Sequence, residues 1–216
     1  MIKRNIILIG GGGHCKSCID VIESCGHYDI KGVLDIPEKV SKKVLDYNII
    51  GSDENLENYK EIANYFFITI GQIKSSSVRK RIFRNIKSLN YSIPTIISPL
   101  SRLSNYATLG EGTILMHGVK INACTQIGVN CIINTEANIE HDVIIGNHCH
   151  ISTSSVVNGG SVIGDNVFIG SNATISSQVK ITSNVVIGAG SVVTRNIEQP
   201  GIYAGSPATF IKYENE

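Results

Sequence analysis

The 216-residue sequence contains no Trp, two Met and five Pro, and only 6% of it is aromatic. So few rings give no stacking platform for single-stranded nucleic acid. Neither sign of charge dominates: 19 Lys and Arg against 18 Asp and Glu leave a net charge of +1, too weak a field to recruit a polyanion or an acidic membrane surface. Apolar runs such as Ile6-Ile7-Leu8-Ile9 fall far short of the ~20 residues that span a bilayer. With 42% apolar and 17% charged residues the chain can bury a core and is not disordered. The start reads as a strand followed by glycines with no small-residue cleavage site, so no secretory signal is expected. The six Cys are then expected as reduced thiols in the cytoplasm. The length suits one large domain or two modest ones.

What is abundant is isoleucine, with 36 residues, and glycine, with 21. The isoleucines follow a ruler. From Ile97 to Val193 every sixth residue is Ile, Leu or Val, seventeen positions without a gap. Four residues after each of the first sixteen stands a small or β-branched residue, from Ser101 through Cys131 and Cys149 to Ser191. Gly110, Gly128, Gly146 and Gly164 add a period of eighteen, so three hexads make one coil of a triangular prism. Alternation along short strands points both the large and the small residue inward, and stacked coils then build columns of like aliphatics. Corners call for positive φ or local side-chain hydrogen bonds, and Gly, Asn and Asp are expected to supply them. A buried helix does not fit period six with corner glycines. Cys131 and Cys149, eighteen apart, read as column fillers.

Residues 1–95 lack the hexad and alternate strand with helix. Strands are expected at Asn5–Ile9, Ile30–Leu34 and Phe66–Ile70, with helices at His14–Ser24 and Ser77–Leu89, a small Rossmann-like parallel sheet. The turn Gly10-Gly11-Gly12-Gly13 would present backbone N–H groups and a helix N-terminus to a phosphate. Its fingerprint lacks the third glycine, whose place Cys15 takes, so the turn alone leaves open nucleotide binding or a merely tight turn. Asp35, closing the second strand, could hydrogen-bond a nucleoside or serve as a cap or loop residue. Cys15-Lys16-Ser17-Cys18 has the spacing of a redox pair, but small core residues are the plainer reading. Arg79, Lys80, Arg81, Arg84 and Lys87 read mostly as a solvated helix face, with room for one of them to meet a sugar-nucleotide phosphate.

Acyl transfer from a thioester needs a base for the acceptor proton and a donor for the oxyanion. In Asn134-Thr135-Glu136-Ala137-Asn138-Ile139-Glu140-His141-Asp142, His141 follows an inward Ile by two and so falls at a corner, where an imidazole can take a proton. Asp142 or Glu140 could hold its tautomer. Adding eighteen to 141 gives Gly159, one coil above, whose N–H could receive a carbonyl oxygen; a plain corner glycine is the alternative. His117, His141, His148 and His150 raise a zinc reading, but no two differ by a multiple of eighteen, and no metal is expected.

Gly10–Gly13 followed by His14, Asp35, Gly71 with Arg79, the hexads, and Gly201…Ala204-Gly205-Ser206-Pro207-Ala208 together resemble the hexapeptide-repeat sugar acetyltransferases. These include UDP-4-amino-sugar N-acetyltransferases and sialic acid O-acetyltransferases. The resemblance implies an α/β Rossmann-like nucleotide-sugar domain (1–95), a left-handed parallel β-helix (96–198) and a tail (199–216) packing on the acyl-CoA groove. It implies a cytoplasmic homotrimer, with acetyl-CoA as acyl donor between neighbouring prisms and no metal, nucleic acid or membrane partner. Carried over by residue, His141 and Asp142 are catalytic, with Asn134 and Gly159 on acceptor and oxyanion. His150, Gly159, Gly188, Ala189, Gly205 and Pro207 meet acetyl-CoA, and Gly10, Gly11, Gly12, Gly13, His14, Asp35 and Gly71 meet the nucleotide-sugar. The expected reaction is N-acetylation of a nucleotide-linked amino sugar of the UDP-4-amino-4,6-dideoxy-N-acetylhexosamine type. O-acetylation of a sialic acid-like sugar is the second reading, and a non-catalytic sugar-nucleotide binder a third.

Overall fold

The computed structural model describes residues 3–73 and 75–213. It divides into two compact units, one formed by residues 1–71 and 77–98, the other by 72–76 and 99–216.

In the first unit, β1 (Arg4–Ile9), β2 (Tyr28–Leu34) and β5 (Tyr65–Ile68) run parallel, and a short antiparallel pair, β3 (Lys43–Val44) and β4 (Tyr47–Gly51), extends the edge. The order is β3-β4-β2-β1-β5. Ile6, Ile7, Leu8 and Ile9 of β1 are all buried, as a central parallel strand covered on both faces requires. Helix α1 (Gly13–Cys25) buries Cys15, Cys18, Ile19, Val21 and Ile22 and stops at Gly26, whose φ of 70° closes the last turn. Helix α2 spans Ser77–Ser88. The β3–β4 pair has no counterpart in the sequence reading, because two- to five-residue strands carry too little alternation to register.

The second unit is the prism. One face stacks residues 102–103, 120–121, 138–139, 156–157, 174–175 and 192–193; a second stacks 108–109, 126–127, 144–145, 162–163 and 180–181. The third stacks 114–115, 132–133, 150–151, 168–169 and 185–187, then continues into Gly201–Gly205 and the antiparallel Ala208–Lys212. From residues 102–103 to 192–193 the coils pair parallel with a register of eighteen, as in Ile133 opposite Ile151, and the last pairing, Val185 with Gly201, steps by sixteen. Hexad aliphatics from Leu115 to Val193 are all buried, and so are the small partners from Thr113 to Ser191. Buried Cys131 and Cys149 occupy that small-residue column.

Asn and Asp take the corners as expected, but the period-eighteen glycines do not. Positive φ recurs every sixth residue from Gly112 to Gly190, fourteen times, and ten of these residues are not glycine. Asn130, Asp142, His148 and Asn166 are among them, with φ between 55° and 59°. Gly110, Gly128, Gly146 and Gly164 sit two positions earlier and are not in the left-handed region. They are glycine because the next coil is too close: a Cβ on Gly110 would lie 2.6 Å from the carbonyl carbon of Gly128, and one on Gly164 2.6 Å from the Ser183 nitrogen. The eighteen-residue glycine period therefore records backbone approach between coils, while Asn, Asp and a few other side chains carry the turn itself.

Candidate active site

Three corners follow from this stacking. His141 lies in 140–143, which stacks on 122–125 and 158–161. Asn134 lies in 134–137, in line with 152–155, 170–173 and 188–191. His148 lies in 146–149, between 128–131 and 164–167.

At the first of these, His141 Nδ1 is 2.8 Å from Asp142 Oδ2, and both side chains are about two-thirds exposed, at 66% and 63%. Neighbouring residues rarely face each other; here the left-handed φ of 59° at Asp142 turns its carboxylate back onto the ring. Glu140 is occupied elsewhere, accepting from Asn122 Nδ2 and Asn138 Nδ2, both at 2.9 Å. Of the two candidate acids, Asp142 is thus the one on the imidazole. With Nδ1 donating to that carboxylate, Nε2 is the basic nitrogen. The eighteen-residue step puts Gly159 directly against this ring: a Cβ there would be 2.7 Å from His141 Cε1 and 2.8 Å from Nε2. The Gly160 N–H donates to the His141 carbonyl at 3.0 Å and locks the two coils together.

The second corner gathers other candidates. Gly188 faces the terminal hairpin, where an added Cβ would meet Ala204 Cβ at 2.9 Å. Ala189, next to it in sequence, is exposed, as is Pro207 in the hairpin turn, and the Gly205 N–H donates to Ser191 Oγ at 3.2 Å. Asn134 is half-buried there, its Oδ1 accepting from the Thr135 N–H at 2.8 Å and its Nδ2 3.2 Å from His150 Nε2. His150 is only 6% exposed; its Nδ1 donates to the Gln72 carbonyl at 2.5 Å and its ring meets Phe168 edge-on. Both ring nitrogens of His150 are therefore spent on protein partners. Corner positions such as 135 and 141 are separated by six residues, roughly 18 Å of extended chain. One chain does not bring Asn134, Gly188 and Gly205 together with His141 and Gly159.

In the first unit the glycine turn is built around Asp35. Its Oδ2 accepts from the Gly11 N–H at 2.7 Å and from Lys39 Nζ at 3.0 Å, and its Oδ1 from the Ile36 N–H at 2.7 Å. Burial alone would raise this carboxyl, but those donors outweigh it and hold Asp35 below the usual carboxylate range. Asp35 is thus neither a cap nor a solvated loop residue; it pins the turn. Gly10 has a φ of 105° and stands against Ile70, whereas Gly12 and Gly13 face open space at the helix start. His14 lies 3.4 Å from Cys18 Sγ, and the side-chain position of Gly71 points at His14 Cβ, 3.5 Å away.

One sequence reading needs correction. Arg79 does not belong to a solvated face: it is 1% exposed, and its guanidinium donates to the carbonyls of Ile68 and Ile70 at 3.1 and 2.7 Å, tying α2 to the end of β5. A buried Arg on an otherwise basic helix leaves no signal in charge pattern alone. Cys15 and Cys18 are the small core residues that the plainer reading expected. Burial pushes Cys15 up to about 11 and Cys18 higher still, so both are inert core thiols. Among the described residues no three His, Cys, Asp or Glu side chains converge as a metal site would need.

With that geometry established, the comparisons with known proteins become specific. Residues 5–86 match the PglD N-terminal domain family, and residues 160–195 match the bacterial transferase hexapeptide family of six repeats. PerB from Caulobacter crescentus, solved with CoA and GDP-perosamine, is 31% identical over 96% of this chain and 97% of its own, with a TM-score of 0.89. The chain belongs to the hexapeptide-repeat sugar acetyltransferase family. The acetyltransferase domain of PglB from Neisseria gonorrhoeae is 26% identical over 97% of this chain and 100% of its own, with a TM-score of 0.88. That domain has also been solved with acetyl coenzyme A. The protein is accordingly an acetyl-CoA-dependent acyltransferase, with a Rossmann-like first domain and a left-handed β-helix as the second. No helix among the described residues is long and apolar enough to cross a membrane.

Asparagine tolerates the left-handed region, so Asp142→Asn keeps the corner and removes only the charge behind His141. We expect thiol release from acetyl-CoA to slow by roughly 10- to 100-fold in this variant, less than for a buried triad because solvent screens the exposed pair.

Proposed function

We propose that the protein transfers the acetyl group of acetyl-CoA to the amine of a nucleotide-linked amino sugar, of the UDP-4-amino-4,6-dideoxy-N-acetylhexosamine type, in bacterial surface-glycan or glycoprotein sugar biosynthesis. The observation that carries this reading is His141, fixed through Nδ1 on Asp142, with its Nε2 edge against Gly159. The amine nitrogen attacks the thioester carbonyl and its proton passes to His141 Nε2. The carbonyl oxygen becomes an oxyanion that accepts from the Gly159 N–H. Collapse breaks the carbon–sulfur bond, and the leaving thiolate takes the proton back from the imidazolium as CoA thiol. No acyl-enzyme is required, because no nucleophilic side chain among the described residues is bonded to His141.

The first domain, residues 1–95, holds the nucleotide at Gly10–Gly13, His14, Asp35 and Gly71. Open Gly12 and Gly13 at the start of a thirteen-residue helix favour a phosphate there. The prism, residues 96–198, supplies the chemistry, and the tail from residue 199 closes on the donor through Gly205 and Pro207. Since the His141 and Asn134 corners are separate in one chain, a complete site takes one corner from each of two copies. A cytoplasmic homotrimer of prisms satisfies that requirement at all three clefts, with Asn134 on the acceptor and Gly188, Ala189 and Gly205 on acetyl-CoA.

The relatives' complexes with CoA, acetyl coenzyme A and GDP-perosamine favour an amine acceptor on a nucleotide sugar. Thiol release tests this against a panel. Turnover with a UDP-4-amino sugar supports it; turnover with sialic acid alone replaces it by O-acetylation, and silence with every acceptor leaves a binding protein.

A further inference from the structure

We infer that His150 is a positioning residue, which orients the Asn134 amide and is itself held in one tautomer by the main chain of Gln72. The inference rests on the proposed acceptor role of Asn134. The logic runs along one line of hydrogen bonds. The Gln72 carbonyl can only accept, so His150 Nδ1, 2.5 Å away, carries a hydrogen. In the neutral ring Nε2 is then a bare lone pair. The Asn134 group 3.2 Å from it must be the NH2, and this agrees with the other end of the amide, where Oδ1 accepts from the Thr135 N–H at 2.8 Å. The amide cannot flip without facing oxygen against a lone pair and nitrogen against an N–H. One Nδ2 hydrogen is used by His150; the second has no partner among the described residues and is presented as a donor from a half-buried position.

Gln72 is a firm anchor for this line. It is 4% exposed, and its Nε2 donates to the His148 carbonyl at 2.9 Å. Four residues on, Ser76 Oγ donates to Asn166 Oδ1 at 2.9 Å, so Gln72 and Ser76 are both fastened at the His148 corner. Phe168 holds the imidazole edge-on at 5.2 Å and blocks ring rotation. The ring thus reaches a ligand only through Asn134. The group that Asn134 can select is a hydrogen-bond acceptor on the sugar, a hydroxyl oxygen or an acetamido carbonyl.

Three replacements separate this from direct donor contact. His150→Gln places an amide oxygen where Nε2 stood and should keep the KM for the amino-sugar nucleotide within about 3-fold of the native value. His150→Asn and His150→Phe remove that acceptor and should raise it by about 10-fold or more, the factor lost with one oriented hydrogen bond. The kcat at saturation and the KM for acetyl-CoA should not move. A rise confined to the acetyl-CoA KM, or a Gln variant as poor as the Phe variant, overturns the relay. Nitrogen-15 NMR of labelled histidine gives a readout independent of turnover: the signal lost in His150→Gln should be a neutral ring protonated at Nδ1, the minority tautomer of free histidine. An Nε2-protonated or doubly protonated ring refutes the inference. If the native protein acetylates no amino sugar, the functional reading fails, while the tautomer still decides the relay.

Discussion

His141→Ala is expected to reduce acetyl-CoA thiol release in the presence of an amino-sugar nucleotide by about 10³-fold or more, the upper part of what a positioned general base contributes. The fold should not notice. The His141 side chain is two-thirds exposed, its one side-chain partner among the described residues is the equally exposed Asp142, and the coil-to-coil bond from Gly160 uses only its main-chain carbonyl. The melting temperature and the particle mass in solution should therefore match the native protein. The contrast matters, because a variant that lost activity by falling apart would say nothing about the base. Retained turnover with an intact fold would remove His141 from the mechanism.

Gly159→Ala should produce the second largest effect, for a different reason. Its φ is not in the left-handed region, so the backbone accepts alanine. The added Cβ would sit 2.7–2.8 Å from Cε1 and Nε2 of His141, well inside contact distance, and its three nearest atoms all belong to that ring. An exposed ring yields easily by rotating about its own bonds, so stability changes little. Rotation, however, carries Nδ1 off Asp142 and Nε2 away from the acceptor. We expect about a 100-fold fall in kcat, in the range ascribed to misplacing a reacting group by an ångström. The same substitution at Gly146 is a useful opposite. There the Cβ meets the Asp165 and Gly164 backbone at 2.8 Å, which cannot yield, so Gly146→Ala should lower the melting temperature instead. In the double variant His141→Ala with Gly159→Ala, the second change should cost nothing further in rate. Additive losses would mean that Gly159 acts apart from the ring.

The hexad ruler made most of the prism legible in the sequence, because each aliphatic has one inward address and stacking repeats it every eighteen residues. The step from 141 to 159 works for that reason: Gly159 does lie against the His141 ring. Asn and Asp were legible as corner residues, and Asn130, Asp142 and Asn166 do carry the turn. The period-eighteen glycines were legible as corners too, but Gly110 and its successors answer to backbone approach. The left-handed corner also explains the His–Asp pair, since it turns the Asp142 side chain back to Nδ1. The fastenings of Gln72 and Ser76 and the buried Arg79 were invisible for another reason. Gln72 and Arg79 donate to main-chain carbonyls and Ser76 to the Asn166 side chain, and no local pattern marks such an acceptor as taken.

The central claim is the bond that forms. Acetyl-CoA labelled with carbon-13 at the carbonyl, incubated with the protein and a nitrogen-15-labelled UDP-4-amino sugar, should give a product whose carbonyl carbon is split by one-bond coupling to nitrogen. No such product should appear with His141→Ala. An uncoupled ester carbonyl on a sugar hydroxyl would contradict the account.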